Sequence, residues 1–226
     1  MKTEIKEIIS ELSSDKTKFT LSGTTTLKTK FDISPQEFIN YAELDLSSNY
    51  DHNIVNALSN AKRALDSQLD TLLVCLGYYG ISQKKYWSFP KKIDLINELG
   101  IIAPRVLRKI NKQRNLLEHQ FIKPKVEVVE DFLDITLLFI GSTDRFTLNF
   151  RNIIHLKNPD QKKLYVIENN YVKEEINIHI YKTEKEFDFP YLEPEKIENE
   201  LISSNSYNHK DADYNELLKF YLVFMK

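Results

Sequence analysis

The clearest periodic pattern in the chain runs from residue 53 to residue 76 and predicts a long amphipathic helix. Its apolar residues recur at intervals of three and four, which places them on one helical face: Ile54, Leu58, Ala61, Leu65, Leu69, Leu72 and Leu76. The opposite face is polar and includes Arg63, Asp66 and Asp70. We interpret it as a solvated face with an ion pair between Arg63 and Asp66. Gly77 and Gly80 are expected to end the helix.

Further helices are predicted on both sides of this one. Ser34, Pro35 and Glu37 form a capping box that starts a helix reaching about Leu46. The others are expected over residues 91–99, from Pro104 to a frayed end before Pro124, and over residues 126–140. Residues 34–143 are therefore predicted to form an up-and-down helical bundle.

The pattern changes beyond residue 143. Segments rich in β-branched and aromatic residues predict strands over 145–156, 162–168 and 174–182, with a turn at Asn169-Asn170. A short helix is expected over 193–202, and residues 214–225 fit either a helix or a buried strand. Residues 144–226 thus form an α+β C-terminal unit.

The first 33 residues are predicted to form a separate N-terminal segment. A short helical pattern is followed by alternating residues on both sides of Gly23, which predicts a small hairpin. The expected fold class is α+β, with segments 1–33, 34–143 and 144–226.

Composition narrows the cellular setting. The chain has 226 residues and a single cysteine, Cys75, which lies in an apolar run. A disulfide within the chain is excluded, so we expect a reducing compartment. The apolar runs are far shorter than the ~20 residues that a membrane-spanning helix needs, and no secretion signal is recognised. We expect a cytoplasmic protein that does not enter a membrane.

The net charge of −2 conceals two oppositely charged stretches. Residues 103–125 contain seven basic residues and one acid, and residues 184–200 contain seven acids and two lysines. We interpret the acidic stretch as a solvated loop and helix. The alternative is that it covers the basic stretch and competes with a polyanion that binds there.

Several common types of catalytic and ligand-binding site are not indicated, because their sequence motifs are missing. The chain has no glycine-rich phosphate loop and no CxxC, HExxH or GxSxG motif. Four of its histidines have no partner at metal-ligand spacing, and we expect them to be hydrogen-bonded structural residues: His52, His155, His179 and His209. Neither a metal nor another cofactor is predicted.

The helix predicted from Pro104 has one cationic face and one apolar face. The cationic face is formed by Arg105, Arg108, Lys109 and Lys112, while Val106, Ile110 and Leu117 lie on the other side. Such a face is usually only solvated. Next to a reaction centre, however, it would neutralise RNA phosphates, and binding would weaken steeply with salt.

Arg114 and His119 follow within the same stretch, with four residues between them. On an unbroken helix they point about 140° apart, so one copy forms a shared site only if the helix ends before His119. Two copies of the chain are the other solution. Histidine transfers protons near neutral pH and arginine binds phosphate, so the two side chains suit cleavage of RNA through its own 2′-hydroxyl.

The order Arg114, Asn115, three variable residues and His119 in a helical bundle resembles the HEPN superfamily (higher eukaryotes and prokaryotes nucleotide-binding). The resemblance covers residues 34–143. It implies a metal-independent endoribonuclease that acts as a homodimer, in toxin or phage-defence systems, often with a regulatory or antitoxin partner protein. Asn115 would orient the pair. One subset carries a modified tyrosine two places after the histidine, and Phe121 at that place argues against this control.

The same resemblance leaves a second reading open. HEPN proteins also include dimerisation modules that bind nucleotides or proteins without cleaving RNA. The sequence therefore predicts either an endoribonuclease or a non-catalytic binding module.

Overall fold

A computed structural model of the chain describes residues 4–14, 16–102, 123–148, 150–158, 162–183 and 200–225. The chain divides into two compact units. The helical unit contains residues 28–75 and 79–147, and the sheet unit contains residues 1–27, 76–78 and 148–226. The predicted α+β class is confirmed.

The described elements are mostly helical in the first two thirds of the chain and mostly strands in the last third. In chain order they are α1 Ile5–Leu12, β1 Lys18–Thr25, α2 Pro35–Ser47, α3 Asn53–Cys75, α4 Tyr79–Lys84, α5 Phe89–Glu98, α6 Val126–Thr143, a 3₁₀ turn Asp144–Phe146, β2 Phe150–Asn158, β3 Lys163–Asn170, β4 Glu175–Lys182, β5 Glu200–Tyr207 and α7 Tyr214–Val223.

Helix α3 is the centre of the helical unit and contacts α2, α4, α5 and α6. The predicted apolar face is confirmed, because six of its seven residues are buried and Ile54 is half-buried. Ala57, Ala61 and Ala64 add small, fully buried side chains that let neighbouring helices approach closely. Leu65, Leu69 and Leu72 fill the core between them.

The predicted capping box at the start of α2 is also confirmed. The Ser34 hydroxyl accepts a hydrogen bond from the Glu37 backbone N–H at 3.2 Å, and the Glu37 carboxylate accepts one from the Ser34 N–H at 2.8 Å. The latter bond lowers the pKa of Glu37, because it stabilises the charged form. These bonds define where α2 begins.

A buried polar contact joins α3 to the end of α6. The Gln68 amide donates a hydrogen bond of 2.7 Å to the Thr143 hydroxyl, and it lies 3.4 Å from an Asp144 carboxylate oxygen. Burial raises the pKa of Asp144. The Gln68 amide on the apolar face of α3 thus has a hydrogen-bond partner. Because a buried amide needs such a partner, the contact favours the observed packing of α6 on α3.

The sheet unit contains a five-stranded antiparallel meander in the order β1-β2-β3-β4-β5. One face is apolar, since residues that pair across the strands are buried together: Leu156, Tyr165 and Ile180 form one row, and Ile154, Ile167 and Ile178 form the next. Helix α1 contacts β2 and α7. Its Ile5, Ile8 and Leu12 are buried in this unit.

Three sequence predictions for this unit need correction or completion. The N-terminal hairpin is wrong: residues 18–25 are one strand that pairs with β2, and Gly23 has a left-handed φ of 68° within it. Residues 200–202, the end of the predicted helix 193–202, begin β5. Residues 214–223 are a helix, whose buried side chains recur at helical spacing.

Candidate functional site

The seven residues of the predicted RNA site lie outside the described residues. They are Arg105, Arg108, Lys109, Lys112, Arg114, Asn115 and His119. The geometry of the Arg114–His119 pair therefore stays a prediction, and so does any role of the acidic residues 184–199. The structure does describe the two segments that flank residues 103–122.

Helix α5 lies just before residue 103, and two backbone hydrogen bonds define its end. The Ile101 N–H bonds to the Ile96 carbonyl at 3.2 Å, and the Gly100 N–H bonds to the Asn97 carbonyl at 3.0 Å. This pair of bonds is a Schellman motif, and Gly100 supplies the left-handed residue with a φ of 68°. Ile101 is buried, so the chain is anchored to the helical unit as it approaches the candidate site.

The segment after residue 122 is anchored as well. Residues 123–125 are not helical, and α6 begins at Val126, directly after the predicted stop at Pro124. Val129, Phe132 and Leu133 are buried in the first half of α6, which packs on α3. Lys123 and Lys125, two members of the basic stretch, are exposed here. Both flanks of the candidate RNA site thus belong to the helical unit.

A pocket of about 360 Å³ lies in the helical unit, between the segment before α2, α2 itself and the middle of α3. We call it the α2–α3 pocket. Among the described residues, its apolar lining is Phe31, Ile33 and Phe38, and its polar lining is Asp32, Asp66, Ser67 and Asp70. The volume falls within the range of roughly 300–1,000 Å³ that small-molecule sites occupy.

The polar side of the pocket is partly organised by an ion pair. The Lys92 ammonium contacts the Asp70 carboxylate, and the two side chains are only 14% and 20% exposed. Burial and the charge of Asp70 raise the pKa of Tyr79. The Ser67 hydroxyl oxygen is buried and has no hydrogen-bond partner among the described residues.

The apolar side is held in place by aromatic contacts. The Phe31 ring meets Tyr79 edge to face at 5.5 Å, and the Phe38 ring meets Tyr41 at 6.3 Å. Sequence reasoning placed Asp66 and Asp70 on a solvated helix face and missed this pocket. The only signal was two carboxylates at a spacing of four residues, which is common on solvated faces.

The described histidines of the sheet unit have structural surroundings. His155 is fully buried, and its Nδ1 lies 3.1 Å from the Ser22 hydroxyl, while burial lowers its pKa. His179 Nδ1 lies 2.9 Å from the Ser204 hydroxyl. The hydrogen-bonded role predicted for these two is confirmed. Within the described ranges, no group of three or more His, Cys, Asp or Glu residues is arranged to hold a metal ion.

A second concave surface, of about 290 Å³, surrounds the start of α7 in the sheet unit. It includes His209, whose Nδ1 is buried without a hydrogen-bond partner in the described residues. The Tyr78 hydroxyl donates to the Asn215 side chain at 2.5 Å, and Lys6 pairs with Asp213 at 3.3 Å. These contacts tie residues 76–78 and α1 to α7, which indicates a structural role for the surface.

The described helices include none that is long and apolar enough to cross a membrane. Comparison with known proteins adds no family and no fold relative. The chain matches no protein-family model, no curated protein and no solved structure.

Proposed function

We propose that the protein is a metal-independent endoribonuclease of the HEPN type, which cleaves RNA at a cleft formed by two copies of the chain. The observation that carries the proposal is the Arg114-Asn115-x-x-x-His119 spacing inside the basic stretch 103–125. The flanks of that stretch support it, because α5 and α6 belong to one helical unit and hold both ends of the segment.

The proposed reaction uses the nucleophile that RNA carries. His119 of one copy takes the proton of the 2′-hydroxyl as its oxygen attacks the adjacent phosphorus. The bond from phosphorus to the 5′-oxygen breaks, and the leaving oxygen takes a proton from the imidazolium of the second copy. Arg114 stabilises the negative charge that develops on the phosphate oxygens, and Asn115 orients the pair. The products are a 2′,3′-cyclic phosphate and a 5′-hydroxyl.

Substrate attraction is assigned to the neighbouring cations. Arg105, Arg108, Lys109 and Lys112 would contact the RNA backbone without reading its sequence. Each phosphate that they neutralise releases bound counterions, so RNA affinity should fall steeply as salt rises.

A potent ribonuclease in the cytoplasm also needs control, which is consistent with a regulatory or antitoxin partner protein.

The test compares RNA cleavage by wild-type protein, His119→Ala and Arg114→Ala in buffer with EDTA. His52→Ala is the matched control, because His52 is an exposed histidine of the helical unit outside the basic stretch. We expect cleavage by the wild type and the control only, with cyclic phosphate ends identified by mass spectrometry. Equal cleavage by wild type and His119→Ala would contradict the proposal.

The second candidate is a non-catalytic binding module, and the α2–α3 pocket is the observation that favours it. It predicts intact RNA in every reaction. It also predicts that the double change Arg114→Ala and His119→Ala leaves the cellular phenotype of the protein unaltered. Sedimentation of the wild type tests the dimer that both candidates share.

A further inference from the structure

The connector between α4 and α5 presents a tyrosine to solvent. Tyr86 is 93% exposed, whereas Tyr41 and Tyr50, two other exposed tyrosines of the helical unit, are 41% and 42% exposed. Nearly the whole Tyr86 side chain is therefore accessible to a ligand. Because single exposed apolar side chains are common on protein surfaces, exposure by itself does not mark a binding site.

The backbone at Tyr86 is a second, independent observation. Helix α4 ends in a Schellman motif: the Trp87 N–H bonds to the Ser82 carbonyl at 2.9 Å, and the Tyr86 N–H bonds to the Gln83 carbonyl at 3.2 Å. Tyr86 takes the left-handed position of this motif, with a φ of 49°. Glycine is usual there, because a Cβ makes the left-handed conformation costly. Residues held in such conformations cluster at functional sites, so the strain points to a role for the tyrosine ring.

Lysines flank this ring. Residues 78–93 contain four lysines and no acidic residue. Lys92 pairs with Asp70. The other three have exposed side chains, and they are Lys84, Lys85 and Lys91. We call Lys84, Lys85, Tyr86 and Lys91 the α4–α5 surface.

The α4–α5 surface is anchored on both sides. The Ser82 side chain is buried in α4, and Phe89 is buried at the start of α5. The Lys92 N–H bonds to the Ser88 carbonyl at 3.2 Å and begins the ladder of α5. The Lys91 ammonium lies 4.6 Å from the centroid of the Trp87 ring, which holds this charge beside the residue that follows Tyr86. The surface is therefore largely organised before a ligand binds.

An exposed aromatic ring among ammonium groups suits an unpaired nucleotide. Bases of single-stranded nucleic acids stack on aromatic side chains, and basic residues beside the ring bind the backbone phosphates. In a duplex the faces of the bases are already stacked on each other, so only the phosphates would be available to this surface. The combination of ring and charge thus favours a single strand over a duplex.

We propose that the α4–α5 surface binds single-stranded RNA, with an unpaired base stacked on Tyr86 and neighbouring phosphates bound by Lys84, Lys85 and Lys91. The choice of RNA over DNA rests on the proposed ribonuclease function. The surface itself is distinct from the proposed catalytic segment, because none of its residues belongs to the basic stretch 103–125. It would direct the enzyme to unpaired regions of its substrate.

The experiment measures fluorescence anisotropy of a short, labelled 2′-O-methyl oligouridine titrated with the full chain. This probe has no free 2′-hydroxyl, so the proposed reaction does not cleave it. The same strand paired with 2′-O-methyl oligoadenosine and a single strand of oligothymidine are the comparison probes. We expect the single 2′-O-methyl strand to bind more tightly than the duplex and at least as tightly as the DNA strand.

Variants of Tyr86 assign the binding to the ring. Tyr86→Ala should lower the affinity for the single strand roughly tenfold, as expected for loss of one stacked base, and Tyr86→Phe should retain it. Tyr41→Ala is the matched control, because it removes an exposed tyrosine from α2 in the same unit.

Tyr86→Gly separates a lost contact from a damaged fold. Glycine relieves the left-handed conformation and also removes the ring, so the urea midpoint should rise while RNA affinity falls as much as in Tyr86→Ala. A variant that is more stable than wild type and binds more weakly has lost a contact with the ligand.

A lysine variant tests the phosphate contacts. Lys85→Gln should reduce the slope of log affinity against log salt by about 0.7, the value for one phosphate contact on a single strand. Lys30→Gln is its control, because it removes the same charge from an exposed residue of the helical unit.

The proposal is overturned by any of four results. These are no binding of the single strand, which would favour an acidic protein partner, binding of the duplex at least as tight, tighter binding of the DNA strand, and equal affinity of wild type and Tyr86→Ala. No cleavage occurs in these measurements, so a failure here is distinguishable from a failure of the ribonuclease test.

Discussion

Replacing Gly100 or Gly141 by alanine adds the same methyl group to the same unit, yet we expect opposite effects on stability. Gly100 has a φ of 68° in the Schellman motif after α5, whereas Gly141 lies within α6. A Cβ built at either position meets no atom within 4 Å in the described part of the chain. Among the described residues neither methyl group meets a clash, so the prediction rests on the difference in backbone conformation.

The magnitudes follow from the two conformations. Alanine in the left-handed region costs about 1–2 kcal/mol, and restriction of the unfolded chain offsets about 0.4–1 kcal/mol of this. Gly100→Ala should therefore lose about 1 kcal/mol of unfolding free energy. Gly141→Ala should gain about 0.5–1 kcal/mol, because alanine is the better residue inside a helix. The two variants should differ by roughly 2 kcal/mol in all.

The assay is equilibrium unfolding in urea, followed by the fluorescence of Trp87. This residue is the single tryptophan of the chain and lies in the helical unit with both glycines. Gly100→Asn is the control, since asparagine tolerates the left-handed region and should lose less than alanine. Midpoints that shift in the same direction for Gly100→Ala and Gly141→Ala would refute the reasoning.

Three further predictions concern other sites and can be measured by urea unfolding monitored by circular dichroism. Gly77→Ala should destabilise the sheet unit by more than the ~1 kcal/mol expected for Gly100→Ala, because φ is 71° and the new Cβ would also lie 3.2 Å from the Glu174 carbonyl carbon. A loss no larger than that of Gly100→Ala would contradict the steric argument. Ser34→Ala should cost about 1 kcal/mol by removing the cap of α2, whereas Ser34→Asp should retain most of the stability. Burial lowers the pKa of His155, so the unfolded chain binds the extra proton below the ordinary value of 6.5. The contribution of the neutral histidine to the free energy of unfolding is thus fully present above that pH and is lost as the pH falls below it. His155→Gln should therefore lose less free energy of unfolding than wild type when the pH is lowered from 7.5 to 5.5. Equal losses would show that His155 is not the group responsible.

The proposed RNA contact should depend steeply on salt, because it would neutralise several phosphates of the RNA backbone. A titration of RNA affinity against salt concentration tests this expectation, and an affinity that does not change with salt would contradict it.

Local chemistry accounts for the elements that sequence reasoning predicted correctly. The α2 capping box, the buried face of α3 and the end of α5 near residue 99 depend on residues within about one or two helical turns of each other. Strands β3 and β4 were recognised from their β-branched and aromatic residues, which favour strands and are likewise a local property of the sequence.

Predictions that depended on distant partners were wrong or incomplete. Residues 18–25 contain an alternating pattern around a glycine, which is also what a hairpin would show. Their partner, β2, lies more than a hundred residues further along the chain, and its identity is not encoded in the local pattern. The α7 segment was ambiguous because a short apolar run fits a helix and a buried strand equally well.

The sequence by itself determined the α+β class, the main helices and strands of the described chain, and the motif on which the ribonuclease proposal rests. Short-range periodicity and capping are sufficient for these, because they act between neighbours in the chain. Only the tertiary structure decided that β1 forms an edge of the sheet and that Asp66 and Asp70 line a pocket with Phe31 and Phe38. Both features bring together residues far apart in the chain, and it is packing of the whole unit that selects such contacts.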